Sequence, residues 1–559
     1  MINNKKIFFG VCSIAILSIS SLLMIACQQG NNTNDSSGVP ESSTIPEPSY
    51  SITRPDFEED FVTYEVSPKP SGVNMTFYSD IYSRGFSWIT DDTVAETELY
   101  LVQSDKGKDA DFSSAELIEG ETKELTLDKS GNMIFADGSY PTAKGSSNSH
   151  EQKCNSHKVH VEDLEKGKAY SYKIGSEAGY TYGAFIVEKE IPESITAIQL
   201  SDAQTLQPDK LNVWRNTFVK GVETAGNALD FVLYNGDQFD QNMGKVNSSD
   251  QYKPLRFNMH SKALDVISDY KSDIAYMSSS GNHEPSAAYS HFLHSDIDFA
   301  GINADGCYYS YDYGYAHFII LDTNSINDAQ INWLKEDLSY ANSAKWIVVT
   351  MHISPYSTGD HSNKSDNQKI VEKLTPIFSE NHVDLVLQAH DHTYNKTLPY
   401  RWDSVGYTTI DHDEDVVNFE PEKEVINDVE YDKNPNGTYY VTTGAAGHRV
   451  GAEESDGVWA EVVVENGEVK GLDPSKTFLN NKYKNAYGTL TKTNSYEECT
   501  WGSFHSSQQY LQGNPATGNV NAQMFGVLNI TEETMSYHVY TVNGDTVKLF
   551  DTLDVLKAW

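Results

Sequence analysis

Two rhythms of hydrophobic and polar positions divide the chain. Between about residues 61 and 190 apolar and polar residues alternate in short runs, as in Gly85-Phe86-Ser87-Trp88-Ile89-Thr90, Glu98-Leu99-Tyr100-Leu101-Val102 and Tyr170-Ser171-Tyr172-Lys173-Ile174-Gly175, with turn-rich stretches between them. A period of two puts successive side chains on opposite faces of a strand, and this spacing predicts a small antiparallel β-sandwich. His157 and His160 lie here, but three positions apart on a strand they point to opposite faces and do not read as a shared metal site. From about residue 191 strands alternate with amphipathic helices. Strands are predicted at Ile195 to Leu200, Phe231 to Tyr234, Ile274 to Met277, Ala316 to Leu321, Trp346 to Thr350 and Asp384 to Leu387. Helices are predicted at Lys210 to Thr224, around Lys262 to Tyr270, at Ala329 to Tyr340 with Ile331, Leu334 and Leu338 on one side, and at Gln368 to Phe378. Such alternation predicts an α/β domain whose sheet strands are covered by helices. The strongly acidic segment Asp411 to Asn436 reads as an exposed insertion, a solvated loop.

The amino terminus follows neither rhythm. Lys5-Lys6 precede an apolar run from Ile7 to Ile25, the layout of a secretory signal, and the run closes in Leu23-Met24-Ile25-Ala26-Cys27. That closing sequence resembles a bacterial lipobox, in which the cysteine is lipidated and becomes the first residue. The alternative is a plain transmembrane anchor, since the run is nearly long enough to span a bilayer. Cys27 sits at the boundary with the polar Gln28-Gln29-Gly30-Asn31-Asn32, which favours the lipoprotein. The expected organisation is a signal peptide over residues 1–27, a disordered tether over 28–60, the β-sandwich over 61–190 and the α/β domain over 191–559. The protein is then exported and held on the outer face of a bacterial membrane, touching it only through the lipidated Cys27.

Composition narrows the partners. A chain of 559 residues with 38% hydrophobic and 11% aromatic residues is globular and long enough for several domains. Its 80 Asp and Glu against 41 Lys and Arg give a formal charge of -39, a field that repels polyphosphate backbones and argues against a nucleic-acid scaffold. A small anionic substrate can still bind where cations invert the potential locally. Cys12 and Cys27 belong to the signal; Cys154, Cys307 and Cys499 form no Cys-x-x-Cys pair, which argues against structural zinc and leaves their pairing open.

The strand ends carry the candidate chemistry. The run Phe231-Val232-Leu233-Tyr234-Asn235 stops abruptly at Gly236-Asp237, and taken alone a Gly-Asp there is an ordinary turn. Yet Ser201-Asp202, Gly281-Asn282-His283-Glu284, Met351-His352 and Ala389-His390-Asp391-His392 also close apolar strands. Ligands of an open α/β sheet gather beyond the carboxyl ends of its strands. Packing calls for no such convergence of carboxylates, amides and imidazoles, whereas a metal site does.

These ordered blocks, with Val349-Thr350-Met351-His352, Gly444-Ala445-Ala446-Gly447-His448-Arg449 and the last strands near Phe525-Gly526-Val527, resemble the calcineurin-like metallophosphoesterases. Within them the resemblance is to the purple acid phosphatase group, which carries a fibronectin-III-like domain before the catalytic one. It implies an α/β metallophosphoesterase sheet sandwich flanked by helices, preceded by an all-β fibronectin-III-like sandwich. It further implies that Asp237 bridges two metal ions, that Asp202 and His392 complete one site, and that Asn282, His352 and His390 complete the other. Imidazole and carboxylate suit Fe, Mn or Zn, and two cations about 3.5–4 Å apart can clamp the attacking and leaving oxygens of an in-line phosphoryl displacement. The nucleophile is then a metal-bound hydroxide, from a water whose pKa falls to about 7. By the same resemblance His283 contacts phosphate and protonates the leaving oxygen, and His361 is a second substrate-facing histidine; the other reading of His361 is an exposed loop residue. His291 and His294 read as helix-surface residues.

Two departures qualify the resemblance. Asp240 stands where the purple enzymes place the tyrosine that colours their ferric ion, and Gln204 stands where other members place a histidine two residues after the first aspartate. Gln204 or Asp240 substitutes as an oxygen donor, or water fills the place. The expectation is a colourless enzyme with two divalent ions. Ala389 in place of the glycine before His-x-His is a mild change. The expected activity is acid-phosphatase-like hydrolysis of small phosphate monoesters. Phosphodiesterase or nucleotidase activity on the same centre is the alternative, to be decided by loops such as 401–436 and 452–515, and a metal-free surface-binding protein is disfavoured by the retained ligand set.

Overall fold

A computed structural model describes residues 66–127, 133–134, 152–189, 192–204, 208–238, 261–284, 308–341, 344–356, 365–392, 394–397, 399–402, 416–418, 421–447, 458–465, 468–479 and 523–558. The signal, the tether, Cys27, Cys307, Cys499, Asp240, His291, His294, His361, His448 and Arg449 lie outside these residues. Among the described residues no helix is long and apolar enough to cross a membrane.

The amino-terminal region is built from β1 (Ser71–Thr76), β2 (Arg84–Asp91), β3 (Glu98–Gln103), β4 (Glu116–Glu119), β5 (Glu121–Leu127), β6 (Met133–Ile134), β7 (Gln152–Val161), β8 (Ala169–Ser176) and β9 (Gly179–Ile186). They form a five-stranded sheet in the order β1-β2-β7-β5-β6 and a four-stranded sheet in the order β4-β3-β8-β9. The alternation seen in the sequence sends Phe86, Trp88, Leu99, Leu101, Val159, Tyr172 and Ile174 into one shared core. This is the layering of a β-sandwich, two antiparallel sheets closed over one core. His157 is fully buried between the hydroxyls of Thr90 and Thr97, each 2.7 Å from a ring nitrogen, and burial lowers its pKa to about 4. His160 instead stacks on Tyr78, so the two histidines share no site. Cys154 is a buried free thiol, pushed by burial up to about 12.

The following region contains two sheets packed face to face. The first runs β12-β11-β10-β25-β26-β27-β21-β20, from β10 (Ser194–Leu200), β11 (Phe231–Tyr234), β12 (Ala275–Ser278), β20 (Glu422–Ile426), β21 (Val429–Lys433), β25 (Gln523–Thr531), β26 (Thr534–Asn543) and β27 (Thr546–Leu556). The second runs β13-β14-β15-β16-β22-β17, from β13 (Tyr309–Tyr313), β14 (Ala316–Ile320), β15 (Trp346–Ile353), β16 (Leu385–Ala389), β17 (Tyr394–Lys396) and β22 (Tyr439–Thr443). Short ribbons β18 (Tyr400–Trp402) with β19 (Val416–Asn418) and β23 (Val458–Glu465) with β24 (Glu468–Leu479) complete the strands. The central strands β10, β11 and β12 are mutually parallel, as are β14, β15, β16 and β22.

These strands are buried on both faces, which explains why they read as continuous apolar runs. Phe231 and Leu233 point into the core between the sheets with Phe318, Val348 and Leu387. Val232 and Tyr234 point outward onto α1 (Pro208–Ala225), where Trp214 and Phe218 cover them. On the far side Ile319, Val349 and Val386 are covered by α3 (Asp328–Ala341), α4 (Ser365–Lys373) and α5 (Thr375–Glu380). The short α2 (Ser268–Lys271) lies beside the amino-terminal sandwich: Lys271 Nζ donates to the Val73 carbonyl at 2.8 Å, and Asp265 accepts from Ser71 Oγ and Gly72 N at 2.6 Å each.

Two expectations need correction. The helix expected from Gln368 to Phe378 is two helices, because Pro376 cannot donate a helical hydrogen bond and crowds the preceding turn. The acidic segment is not all loop: β20 and β21 form a hairpin that extends the first sheet, with Asp432 and Lys433 pairing with Val555 and Leu556 of β27. Its acidic and basic residues pair across the ladder, as Lys433 with Glu424 at 2.7 Å.

Candidate metal centre

The carboxyl ends of β10, β11, β12, β15, β16 and β22 meet at one place, and each passes directly into a tight loop. Backbone pairs stitch these loops together: Asp202 N donates to Gly236 O at 3.0 Å, Gln204 N to Asp237 O at 3.0 Å, and Gly447 N to Asp202 O at 3.3 Å. Asp202, Gln204, Asp237, His390 and His392 all have positive φ, between 39° and 77°. Left-handed backbone at a non-glycine residue is a cost that surrounding structure must enforce, and it clusters at functional sites. Gly236 (φ 84°) has the same curvature with no room for a side chain, since a Cβ there meets Gly281 N at 2.6 Å and His352 Nδ1 at 2.9 Å.

The loops bring Asp202, Gln204, Asp237, Asn282, His283, His352, His390 and His392 together. Asp202, Gln204, Asp237 and His352 are at most 2% exposed. Ligand atoms of Asp237, His352 and His390 all lie within 4.8 Å of one another. His352 Nε2 is 3.3 Å from Asp237 Oδ1 and 3.0 Å from Asn282 Oδ1, and His392 Nε2 is 3.3 Å from Asp202 Oδ1. His283 Nε2 lies 3.7 Å from Asp237 Oδ2, while its backbone N–H donates to Asp237 Oδ1 at 2.9 Å. Asp240 and His361 are outside the described residues, so neither is placed.

Several residues that hold these ligands carry no sequence signal of their own. His352 Nδ1 faces the Asn235 carbonyl at 2.7 Å, which fixes the ring and turns Nε2 toward Asp237. The Asn235 amide donates to the carbonyls of Met351 at 3.2 Å and Leu387 at 2.8 Å, tying β11 across the interior to β15 and β16. Glu284 accepts from the backbone N–H of Asp237 at 2.8 Å, of Gly281 at 2.7 Å, and of Gln238, so one carboxylate holds the two ligand loops in register. Its place beside His283 was visible in the chain; its backbone partners were not.

The electrostatics are those of a cluster made for a cation. Burial opposes ionisation of Asp237, yet the His352 and His283 imidazoles outweigh it and hold the carboxyl well below the usual carboxylate range. Burial likewise opposes protonation of His352, but Asp237 lifts it to about 10. Burial and the neighbouring Asp237 push Glu284 up to about 7, against the pull of its backbone donors. Metal binding needs neutral imidazole, so a cation here competes with a proton for His352. Asp202 Oδ1 and Gln204 Oε1 are buried oxygens that accept no hydrogen bond. Orphaned buried acceptors, ionised carboxylates and imidazoles together fit divalent transition ions.

Residues 196–394 match the family model described as Calcineurin-like phosphoesterase. Over that segment the chain is similar to calcineurin-like phosphoesterases. The match spans β10 to β17 and so takes in all eight residues of the centre. Among curated relatives, the chain is 25% identical over 315 residues to acid phosphatase type 7 of Mus musculus, covering 52% of the chain and 64% of the relative. It is 24% identical over 332 residues to acid phosphatase type 7 of Danio rerio, covering 54% of the chain and 66% of the relative. The chain therefore spans somewhat under two thirds of the length of these relatives. Among solved structures, a purple acid phosphatase from yellow lupin (Lupinus luteus) seeds superposes with a TM-score of 0.55 at 14% identity, over 88% of this chain and 75% of that one. At that identity the likeness is one of fold, and it extends beyond residues 196–394.

Proposed function

We propose that the protein is a metal-dependent phosphatase that hydrolyses small phosphate monoesters on a dinuclear centre, outside the cytoplasm. The observation that carries this reading is the pair of buried carboxylates, Asp202 and Asp237, each facing an imidazole across 3.3 Å where the strand ends of both sheets meet. Asp237 would be shared by the two ions, Asp202 and His392 would hold one, and Asn282, His352 and His390 would hold the other. Two divalent cations held there supply Lewis-acid charge for the phosphoryl oxygens and a water of lowered pKa.

The chain's own residues position and transfer. Glu284 and Gln204, hydrogen-bonded to the backbone and side chain of Asp237 respectively, keep the bridging carboxylate in one orientation. His283, 8% exposed at the edge of the cluster, contacts the phosphate and carries the proton for the leaving oxygen. His361 is assigned the second substrate contact. The acid phosphatase relatives and the lupin fold support monoesters as the substrate class.

The paired sheets β1-β2-β7-β5 and β4-β3-β8-β9 support a fibronectin-III-like domain ahead of the catalytic one. The lipobox-like segment supports anchoring through Cys27. A Cys27→Ser form that stays in the membrane fraction would refute that anchoring.

The activity is tested by comparing p-nitrophenyl phosphate with its bis ester, before and after chelation. Monoester turnover that chelation abolishes and a divalent ion restores is expected. Preference for the bis ester would move the assignment to a phosphodiesterase, and turnover indifferent to chelation would sink the metal mechanism.

A further inference from the structure

The two halves of the centre differ in donor chemistry, and Gln204 makes the difference. Gln204 is 2% exposed and held at φ 39°. Its Nε2 donates to Asp237 Oδ2 at 3.1 Å, which fixes the amide, because the reverse orientation would set two acceptors against each other. Oε1 is thereby turned away from Asp237, and it is buried without a donor. Asp202, two residues earlier, presents a second buried oxygen, Oδ1, which accepts no hydrogen bond and faces His392 Nε2 across 3.3 Å. An orphaned amide oxygen beside a buried carboxylate on one strained turn calls for a cation.

We infer that Gln204 Oε1 is a metal ligand in the half of the centre that contains Asp202 and His392, and that it makes this half favour a harder divalent ion than the other half does. The inference rests on the dinuclear reading given above. With Asp202, Asp237 and Gln204 this half offers three oxygens and one imidazole. The other half offers two imidazoles, from His352 and His390, with the oxygens of Asn282 and Asp237. Zinc binds more tightly than manganese to any such set, but carboxylate and carbonyl oxygens suit manganese and imidazole suits zinc, so the margin narrows where oxygen replaces nitrogen.

The test uses the full chain stripped by a chelator and loaded with Mn²⁺, followed by the manganese electron paramagnetic resonance signal as Zn²⁺ is added. Displacement in two steps is expected, the second at a zinc concentration at least about tenfold higher than the first, a difference of about 1.4 kcal/mol. In Gln204→His the second step moves to at least about tenfold lower zinc relative to the first. Gln204→Glu keeps an oxygen there and keeps the second step at or above its original position. Circular dichroism establishes that each variant is folded. A single step in the unaltered chain, or a second step that neither Gln204→His nor Gln204→Ala moves, overturns the assignment while leaving two metals in place. A chain that takes up fewer than two manganese ions refutes the dinuclear reading beneath it.

Discussion

Asn235→Ala is predicted to damage a centre that it does not ligate. The Asn235 side chain is buried between the two sheets and donates to Met351 O at 3.2 Å and Leu387 O at 2.8 Å. Those carbonyls belong to the residue before His352 and to the third residue before His390, so the amide fixes the separation of two ligand-bearing strands. Truncation deletes two buried hydrogen bonds at about 1 kcal/mol each and leaves acceptors to be satisfied by nothing of equal geometry. Part of the loss is offset, because Asn235 Oδ1 is itself buried without a donor and its removal relieves that cost. The balance is about 1–2 kcal/mol. Urea denaturation of the metal-free protein should show that loss, and zinc affinity should fall roughly tenfold or more, as for other residues that orient metal ligands. A variant within 0.5 kcal/mol of the parent, roughly the scatter of surface substitutions, and with unchanged zinc affinity would refute the claim that Asn235 sets the strand spacing.

Two further predictions follow from close contacts. In Gly281→Ala the added methyl meets Asp237 Oδ1 at 2.1 Å and Asp237 N at 2.3 Å; the backbone atom cannot yield, so the carboxylate must move, and turnover should fall about 100-fold with loss of bound metal. Phosphatase activity near the parent's would contradict the placement of Asp237. His317, 6% exposed, has Asp312 Oδ1 at 2.7 Å from Nδ1 and Asp337 Oδ2 at 2.9 Å from Nε2; burial opposes its charge, but the two carboxylates raise its pKa to about 9. A histidine raised in the folded state stabilises fully below its unfolded pKa near 6.5 and loses that contribution as pH rises through about 9, here about 3 kcal/mol. Urea midpoints should therefore decline between pH 6 and 9.5 more steeply in the parent than in His317→Gln, and parallel curves would remove His317 from the account.

The strands that build the centre were legible because burial on both faces leaves long apolar runs, and each run ends at a polar residue the core could not hold. That pattern located β10, β11, β12, β14, β15 and β16 and placed Asp202, Asp237, Asn282, His352 and His390 at their ends. Other strands escaped it for physical reasons. The β13 segment Tyr309-Ser310-Tyr311-Asp312-Tyr313 buries three tyrosines whose hydroxyls give it a polar appearance; Tyr309 donates to the buried Ser278 carbonyl and Tyr313 to the half-buried Glu188 carboxylate. The β20–β21 hairpin reads as acidic loop because its charges are satisfied across the ladder. Partners far apart in sequence were hidden too: β10 pairs antiparallel with β25, Ile198 opposite Val527. The residues that orient the ligands, Asn235 and Glu284, act on backbone atoms, and no spacing in the chain announces a backbone partner.

The central claim is that Asp237 bridges two ions. It is tested most directly by counting metal per chain, by mass spectrometry after zinc loading and desalting, in the parent and in Asp237→Asn. The account predicts two ions in the parent and one or none in the variant, which keeps the shape of the side chain but loses the charge shared between both sites. Two ions retained by Asp237→Asn, or a single ion in the parent, would contradict it.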